Sequence, residues 1–239
     1  MKEYFQLKET SVWITADEKR YIELAKAEIQ RQRRELERFG RWHPYFLVTF
    51  ERYQLEAEGG ERVREHEHET PEIVRRMIES TEPFGIGPMA AVAGTLAELA
   101  VEAMCAAGAT YAMVDNGGDI ALLSDREVLV GIYAGTSPFS NKIALRLKPA
   151  PALQAVCTSS GTVGHSISFG IADAATVVGT SASLADAAAT ALGNAVTDTQ
   201  ALKTAFRAIS HVAGITGALV IHKDMLATWG NLPELVKTE

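Results

Sequence analysis

The stretch Ser181-Ala-Ser-Leu-Ala-Asp-Ala-Ala-Ala-Thr-Ala-Leu-Gly-Asn194 carries a carboxylate and a hydroxyl, Asp186 and Thr190, four residues apart. On a helix this spacing stacks the two oxygens on one face. Ala185, Ala187, Ala188, Ala189 and Ala191 leave room for a ligand or another backbone to come into contact with that helix. A hard cation such as Mg²⁺ takes oxygen ligands and borrows some of them from substrate phosphates, so the pair fits a metal site. It also fits a packing helix in which Thr190 bonds back to a carbonyl and Asp186 sits near the N-terminal dipole.

Three other stretches are dense in chemistry. Cys157, Thr158, Ser159, Ser160 and His165 fall within nine residues, and Gly161 and Gly164 let the chain fold sharply there. An imidazole can move a proton near neutral pH, and the hydroxyls can bond phosphate oxygens or orient that ring. A Ser/Thr/Gly loop with a solvent-bonded histidine fits the same residues. Cys157 has no cationic neighbour in sequence and reads as an inert buried thiol. In Asp115-Asn-Gly-Gly-Asp119 two glycines make a tight turn with bare N–H donors, after which Asp119 can hold a ribose or a cation. A plain hairpin turn is the simpler reading. Phe84 to Thr95 concentrates small residues at a helix start, which suits an anion at the free N–H groups or close packing at Gly94.

The elements that must position these residues follow from periodicity and punctuation. Tyr4 to Ile14 reads as a strand, and Thr15-Ala-Asp-Glu18 has the form of a capping box opening a long helix that ends at Gly40. Tyr45 to Leu55 reads as a second strand, and the charged segment Glu56 to Glu69 as a loop, where His66 and His68 lack a third metal ligand of defined spacing. Thr70-Pro71 predicts a helix start, with Ile73, Val74, Met77 and Ile78 as its apolar stripe. Beyond the Ala-rich helix, strands are predicted over 110–114, 120–123, 128–134, 142–147 and 174–178. An amphipathic helix is predicted over 200–212, and a closing hairpin over 217–222 and 225–229.

Composition limits the function classes. The chain has 239 residues, 47% of them hydrophobic, enough for a sizeable core. A net charge of −7 argues against nucleic acid and favours small-molecule partners. Two cysteines without CxxC spacing, together with a charged stretch Met1 to Thr10 that has no apolar signal region, lead us to expect a cytoplasmic protein. The apolar run from Met89 to Ala107 is interrupted by Glu98 and Glu102 and reads as a buried helix, not a membrane span.

Val92-Ala-Gly94, Asn116-Gly-Gly-Asp-Ile120 and Leu184-Ala-Asp-Ala-Ala-Ala-Thr-Ala191 together resemble the ordered motifs of the ApbE superfamily, FAD-dependent flavin transferases once linked to thiamine synthesis. GPMAAVAG, DNGGDI and CTSSGTVGHSISFG look closest to a small uncharacterised cytoplasmic branch of it. The resemblance covers about residues 84 to 195, and the N-terminal KETSVWITA is similar too. It implies one ApbE-like domain of mixed α+β class: antiparallel sheets with helices packed on one face, built as a duplicated, T-fold-like sheet-and-helix unit. No internal repeat is visible in the sequence.

The resemblance further implies Asp186 and Thr190 as Mg²⁺ ligands, supplemented by carbonyls near Ala93 and Ala189, with Gly94 at the cofactor-binding helix start. Gly117, Gly118 and Asp119 would lie along a bound FAD, the family's TSG loop would match Thr158, Ser159 and Ser160 or the overlapping Ser159, Ser160 and Gly161, and His165 would be the catalytic base. The implied reaction breaks the phosphoanhydride, releases AMP and passes FMN to a threonine or serine. The sequence departs from the family pattern in three places. Ala93 stands where the family has lysine, the loop before His165 is short, and Ser166 to Gly170 replaces the usual segment after the histidine. The expected function is therefore a Mg²⁺-dependent enzyme of flavin or nucleotide phosphate chemistry. The alternatives are a flavin- or anion-binding protein without turnover, or an accessory role in sulfur assimilation (homocysteine or sulfide) suggested by family association, with Cys157 as its handle. A homo-oligomer is compatible with any of these.

Overall fold

Alternation of small and β-branched residues organises the molecule, because a strand sends successive side chains to opposite faces of its sheet. The computed structural model describes residues 1–55, 70–162 and 169–238. Its strands are β1 (Lys2–Leu7), β2 (Thr10–Ala16), β3 (Tyr111–Asn116), β4 (Asp119–Ser124), β5 (Val128–Gly131), β6 (Ile143–Leu147), β7 (Ala150–Ser159), β8 (Ala174–Gly179), β9 (Ile215–His222), β10 (Met225–Gly230) and β11 (Glu234–Lys237). Its helices are α1 (Lys19–Trp42), α2 (Pro44–Val48), α3 (Glu72–Thr81), α4 (Val92–Ala106) and α5 (Ala182–Ala195).

Eight of these strands form one antiparallel sheet in the order β1-β2-β3-β4-β7-β8-β9-β10. One face, including Ala112, Val114, Ala121, Cys157, Val177 and Val220, is covered by α1, α4 and α5. The opposite face, including Ile120, Leu122, Val156, Leu219 and Ile221, packs against a three-stranded sheet of order β11-β6-β5. This is the mixed antiparallel fold expected, with the helices on one face of the large sheet. The small sheet that shields part of the other face was not anticipated, because β11 is a short terminal strand with no turn signal tying it to β6. The large sheet also divides into two like halves. Each consists of a hairpin, a helical segment and a second hairpin: β1–β2 and β3–β4 flank α1 to α4, and β7–β8 and β9–β10 flank α5.

Several local expectations are corrected. The run from Tyr4 to Ile14 is not one strand but the hairpin β1–β2, which turns at Lys8 with a left-handed φ of 54°. Thr15 belongs to β2 and caps nothing; the N-cap of α1 is Glu18, which makes no side-chain capping bond. Gly40 does not end α1, which continues to Trp42; its missing side chain leaves room for Leu47 against the helix. The aromatic and β-branched run from Tyr45 opens as helix α2, with Pro44 at its first position and Phe46 fully buried, and then extends with a single bridge, Glu51 to Ile86. The helix expected over 200–212 is instead two 3₁₀ turns, Gln200–Lys203 and Ala205–Ala208. The apolar run before Ala107 is α4, with Leu96, Ala97, Ala100 and Val101 at most 2% exposed against sheet and helices.

Candidate functional site

The two central helices of the two halves meet above the seam where β4 pairs with β7. Helix α5 starts at Ser181, whose Oγ accepts a hydrogen bond from the Leu184 N–H at 3.3 Å, as an N-cap serine should. One turn on, the buried Asp186 accepts at Oδ2 from the Gly94 N–H of α4 at 2.8 Å. Gly94 is required for that approach, since a Cβ there would stand 2.2 Å from the Ala182 carbonyl oxygen and 2.7 Å from Asp186 Cβ. The neighbouring Ala93 carbonyl accepts from Asn116 Nδ2 at 3.1 Å, which ties the start of α4 to the end of β3.

Below the helices, the turn after β3 uses Gly117 and Gly118 at φ values of 70° and 102°, backbone that favours glycine. Gly118 N–H donates to Asp115 Oδ1 at 2.9 Å, and Thr158 N–H donates to the Gly118 carbonyl at 3.2 Å. The turn delivers Asp119 onto the helix-covered face, directly across the β4–β7 pair from Cys157. Asp119 Oδ1 is buried and has no hydrogen-bond partner. A buried acceptor left unpaired is costly, and at a site it points to a missing ligand.

The electrostatics agree with the geometry. Burial pushes the Asp186 carboxyl up to about 7, against the pull of the Gly94 and Ala93 N–H groups. Burial, and then the charges of Asp186 and Asp115, push Asp119 well above the usual carboxylate range, against the Cys157 thiol and the Thr158 N–H. The Cys157 thiol is itself raised by burial and by Asp119 and Asp186, and its Sγ lies 3.5 Å from the Ala182 carbonyl, so it is an unreactive thiol in this setting. Two carboxylates that disfavour each other's charge become jointly ionised when a cation sits with them.

Asp119, Asp186, Thr190 and Asn194 are polar residues lining a cleft of about 520 Å³. Leu47, Phe50, Ile86, Met89 and Phe169 line the rest, with the Phe50 and Phe169 rings 5.6 Å apart and nearly perpendicular at 81°. Both rings are more than half exposed, and with Leu47 and Val48 they form an exposed apolar patch along the cleft. Among the described residues no three His, Cys, Asp or Glu side chains converge as a metal cage. A cation here would rest on Asp186, Asp119 and the Thr190 hydroxyl, with backbone carbonyls and ligand oxygens completing its shell, a donor set that suits a hard ion.

The fold therefore brings Asp119, Asp186, Thr190 and the backbone of Gly94 together. Gly117 and Gly118 shape the turn below. Thr158 bonds Thr176 Oγ1 at 2.9 Å across the β7–β8 pair, and Ser159 faces α5 at Gly193. Ser160 Oγ accepts from the Thr162 N–H at 3.1 Å. None of these three hydroxyl residues is among the residues that line the cleft. His165, and likewise His66 and His68, lie outside the described residues. The apolar wall from Leu47 to Phe50 and the amide of Asn194 escaped sequence reasoning. Asn194 had a readable signal: it is the next polar residue two turns beyond Asp186 on the same alanine-rich face, and its Oδ1 accepts from the Phe169 N–H at 2.9 Å.

Residues 3–220 match the family model described as AbpE bacteria. A UPF0280 protein of Methanosarcina acetivorans is 50% identical over all of this chain and 90% of its own length. Another, from Methanococcoides burtonii, is 48% identical over all of this chain and 96% of its own length. Among solved structures, the apo flavinyl transferase ApbE of Pseudomonas stutzeri aligns with a TM-score of 0.55 over 96% of this chain and 94% of that one, at 11% identity, a likeness of fold.

Proposed function

We infer, since this chain belongs to the AbpE bacteria family, that it is an enzyme of flavin or nucleotide phosphate chemistry that works with a divalent cation such as Mg²⁺. The observation that carries this reading is the pair of the half-buried Asp119, whose buried Oδ1 is unpartnered, and the buried Asp186, both lining a cleft that is otherwise largely apolar and aromatic. The solved protein of like fold is a flavinyl transferase, which suggests FAD as the ligand. A planar ring would lie along Phe50, Met89 and Phe169, and the diphosphate would lie toward Asp119 and Asp186. The bound cation would neutralise phosphate oxygens as the phosphoanhydride breaks. The chain itself does three things. Asp186, fixed by the Gly94 N–H, and Asp119 supply carboxylate oxygens that ionise together when the cation sits with them; Thr190 adds a hydroxyl oxygen; the apolar and aromatic side chains offer a surface for the ring. In the reaction an acceptor hydroxyl oxygen would bond the FMN phosphorus as its proton passes to solvent, the P–O bond to the AMP phosphate would break, and AMP would leave with that bond's electron pair.

Metal-stripped protein is to be incubated with FAD, with and without Mg²⁺, following flavin fluorescence and separating AMP and FMN by chromatography. Mg²⁺-dependent AMP release is the expected result; neither binding nor release would overturn the reading. A second reading, flavin binding without turnover, is favoured by Ala93, where the resembled transferases carry a lysine. In the same experiment it would show as quenching of fluorescence with no AMP.

A further inference from the structure

Away from the cleft, a buried carboxylate joins the same two helices that carry Gly94 and Asp186. Glu98 of α4 is 7% exposed, and its Oε2 accepts from Ser181 Oγ at 2.8 Å and from the Ser183 N–H at 2.9 Å. Ser181 Oγ in turn accepts from the Leu184 N–H, so Glu98 and Ser181 together satisfy two of the free donors of the first turn of α5. The other Glu98 oxygen accepts from Arg76 Nη1 of α3 at 3.0 Å, and Arg76 is held by Glu102 through two contacts of 2.8 Å and by Glu72 at 2.7 Å.

The register makes this more than a cap. Gly94 and Glu98 are one turn apart on α4, and Ala182 and Asp186 are one turn apart on α5. The contact of Glu98 with the start of α5 and the contact of Gly94 with Asp186 are therefore consecutive rungs between two helices. A third rung is steric, the Ala182 carbonyl against Gly94. Small residues dominate where the two helices touch, so the Glu98 rung is the charged contact that fixes how far one helix can slide on the other.

We propose that Glu98, anchored by Arg76, is a positioning residue that sets the register of α5 on α4 and so places the Asp186 carboxylate against the Gly94 N–H. The inference rests on the proposed cation role of Asp186 only for its functional readout. Supporting groups of this kind change metal affinity by about 10- to 100-fold when they are removed.

The test compares wild type with Glu98→Ala and Glu98→Gln, using Mn²⁺ as the probe ion and residue-resolved amide exchange. Glu98→Ala is expected to speed exchange at Gly94 as well as at Ser183, and to weaken Mn²⁺ binding about tenfold or more. Glu98→Gln, which keeps an acceptor oxygen, is expected to recover part of both effects. If Glu98→Ala speeds exchange at Ser183 alone and leaves Gly94 and Mn²⁺ affinity at wild-type values, Glu98 is a helix cap only and the proposal falls. Should Glu98→Ala not fold, Glu98→Gln carries the same comparison, with a smaller loss expected and equality with wild type at Gly94 overturning it. If wild type binds no Mn²⁺, the cation reading fails, and Gly94 exchange still decides the positioning role.

Discussion

At the scale of single residues, the site turns on two carboxylates kept from easy ionisation. Asp186 is raised to about 7, whereas an aspartate in the unfolded chain titrates near 4. A carboxyl raised on folding favours the native state while it is protonated. Its contribution is full below about pH 4, declines through the interval up to about 7, and is gone above it. Metal-free protein should therefore lose thermal stability between pH 5 and pH 8, and Mg²⁺ should restore more of it at pH 8 than at pH 5. Melting curves across that range, with and without Mg²⁺, check both statements. Asp186→Asn should flatten the pH dependence and abolish cation-dependent FAD affinity while the protein stays folded; unchanged affinity in that variant would remove Asp186 from the ligand set. Asp186 and Thr190 were legible because a four-residue spacing among alanines is a local signal. Asn116, which holds the Ala93 carbonyl, was not, since its partner lies 23 residues away and nothing in either segment announces the other.

At the scale of elements, the crossing of α4 and α5 depends on the missing side chain at Gly94. A methyl there would meet backbone, the Ala182 carbonyl oxygen at 2.2 Å, which no rotamer change can relieve. Gly94→Ala should cost about 1–3 kcal/mol of stability and, by parting the helices, weaken cation binding as well. Denaturant unfolding and Mn²⁺ titration measure the two effects. The apolar wall makes a different prediction. Phe50→Ala and Phe169→Ala remove rings that are largely exposed, so folding should change little while flavin affinity falls by about three- to tenfold for each, read by fluorescence titration. Equal FAD affinity in both variants would mean the ring binds elsewhere. This wall was misread from sequence because Tyr45 to Leu55 is rich in aromatic and β-branched residues, whose strand preference is weak beside tertiary context. Pro44 at a helix start and the burial of Phe46 between α1 and α3 decided for a helix.

For the whole molecule, the site belongs to neither half of the sheet alone. Gly94 and Asp119 come from the first half, Asp186 and Cys157 from the second, and the pairing of Asp119 with Cys157 lies at the β4–β7 seam. No repeat was legible because the halves share alternation and strand order, not residues: among the described residues four α-helices and two 3₁₀ turns lie between the hairpins of the first, and α5 with two 3₁₀ turns between those of the second. The fold class was legible through that alternation together with the motif order. The small sheet was not, because it forms by pairing β11 with β6, whose partners, such as Leu235 and Leu145, lie 90 residues apart. This sheet packs on the face away from the cleft, so its core should govern stability without touching ligand binding. Leu145 is fully buried between the two sheets. Leu145→Ala should cost about 2–5 kcal/mol through lost burial and a residual cavity, a fall in Tm of about 5–15 °C in a chain of this size. Its FAD and Mn²⁺ affinities, measured well below the lowered Tm, should match wild type. A parallel loss of affinity would show that the seam transmits strain from one face of the large sheet to the other, and that the site depends on both layers beneath it.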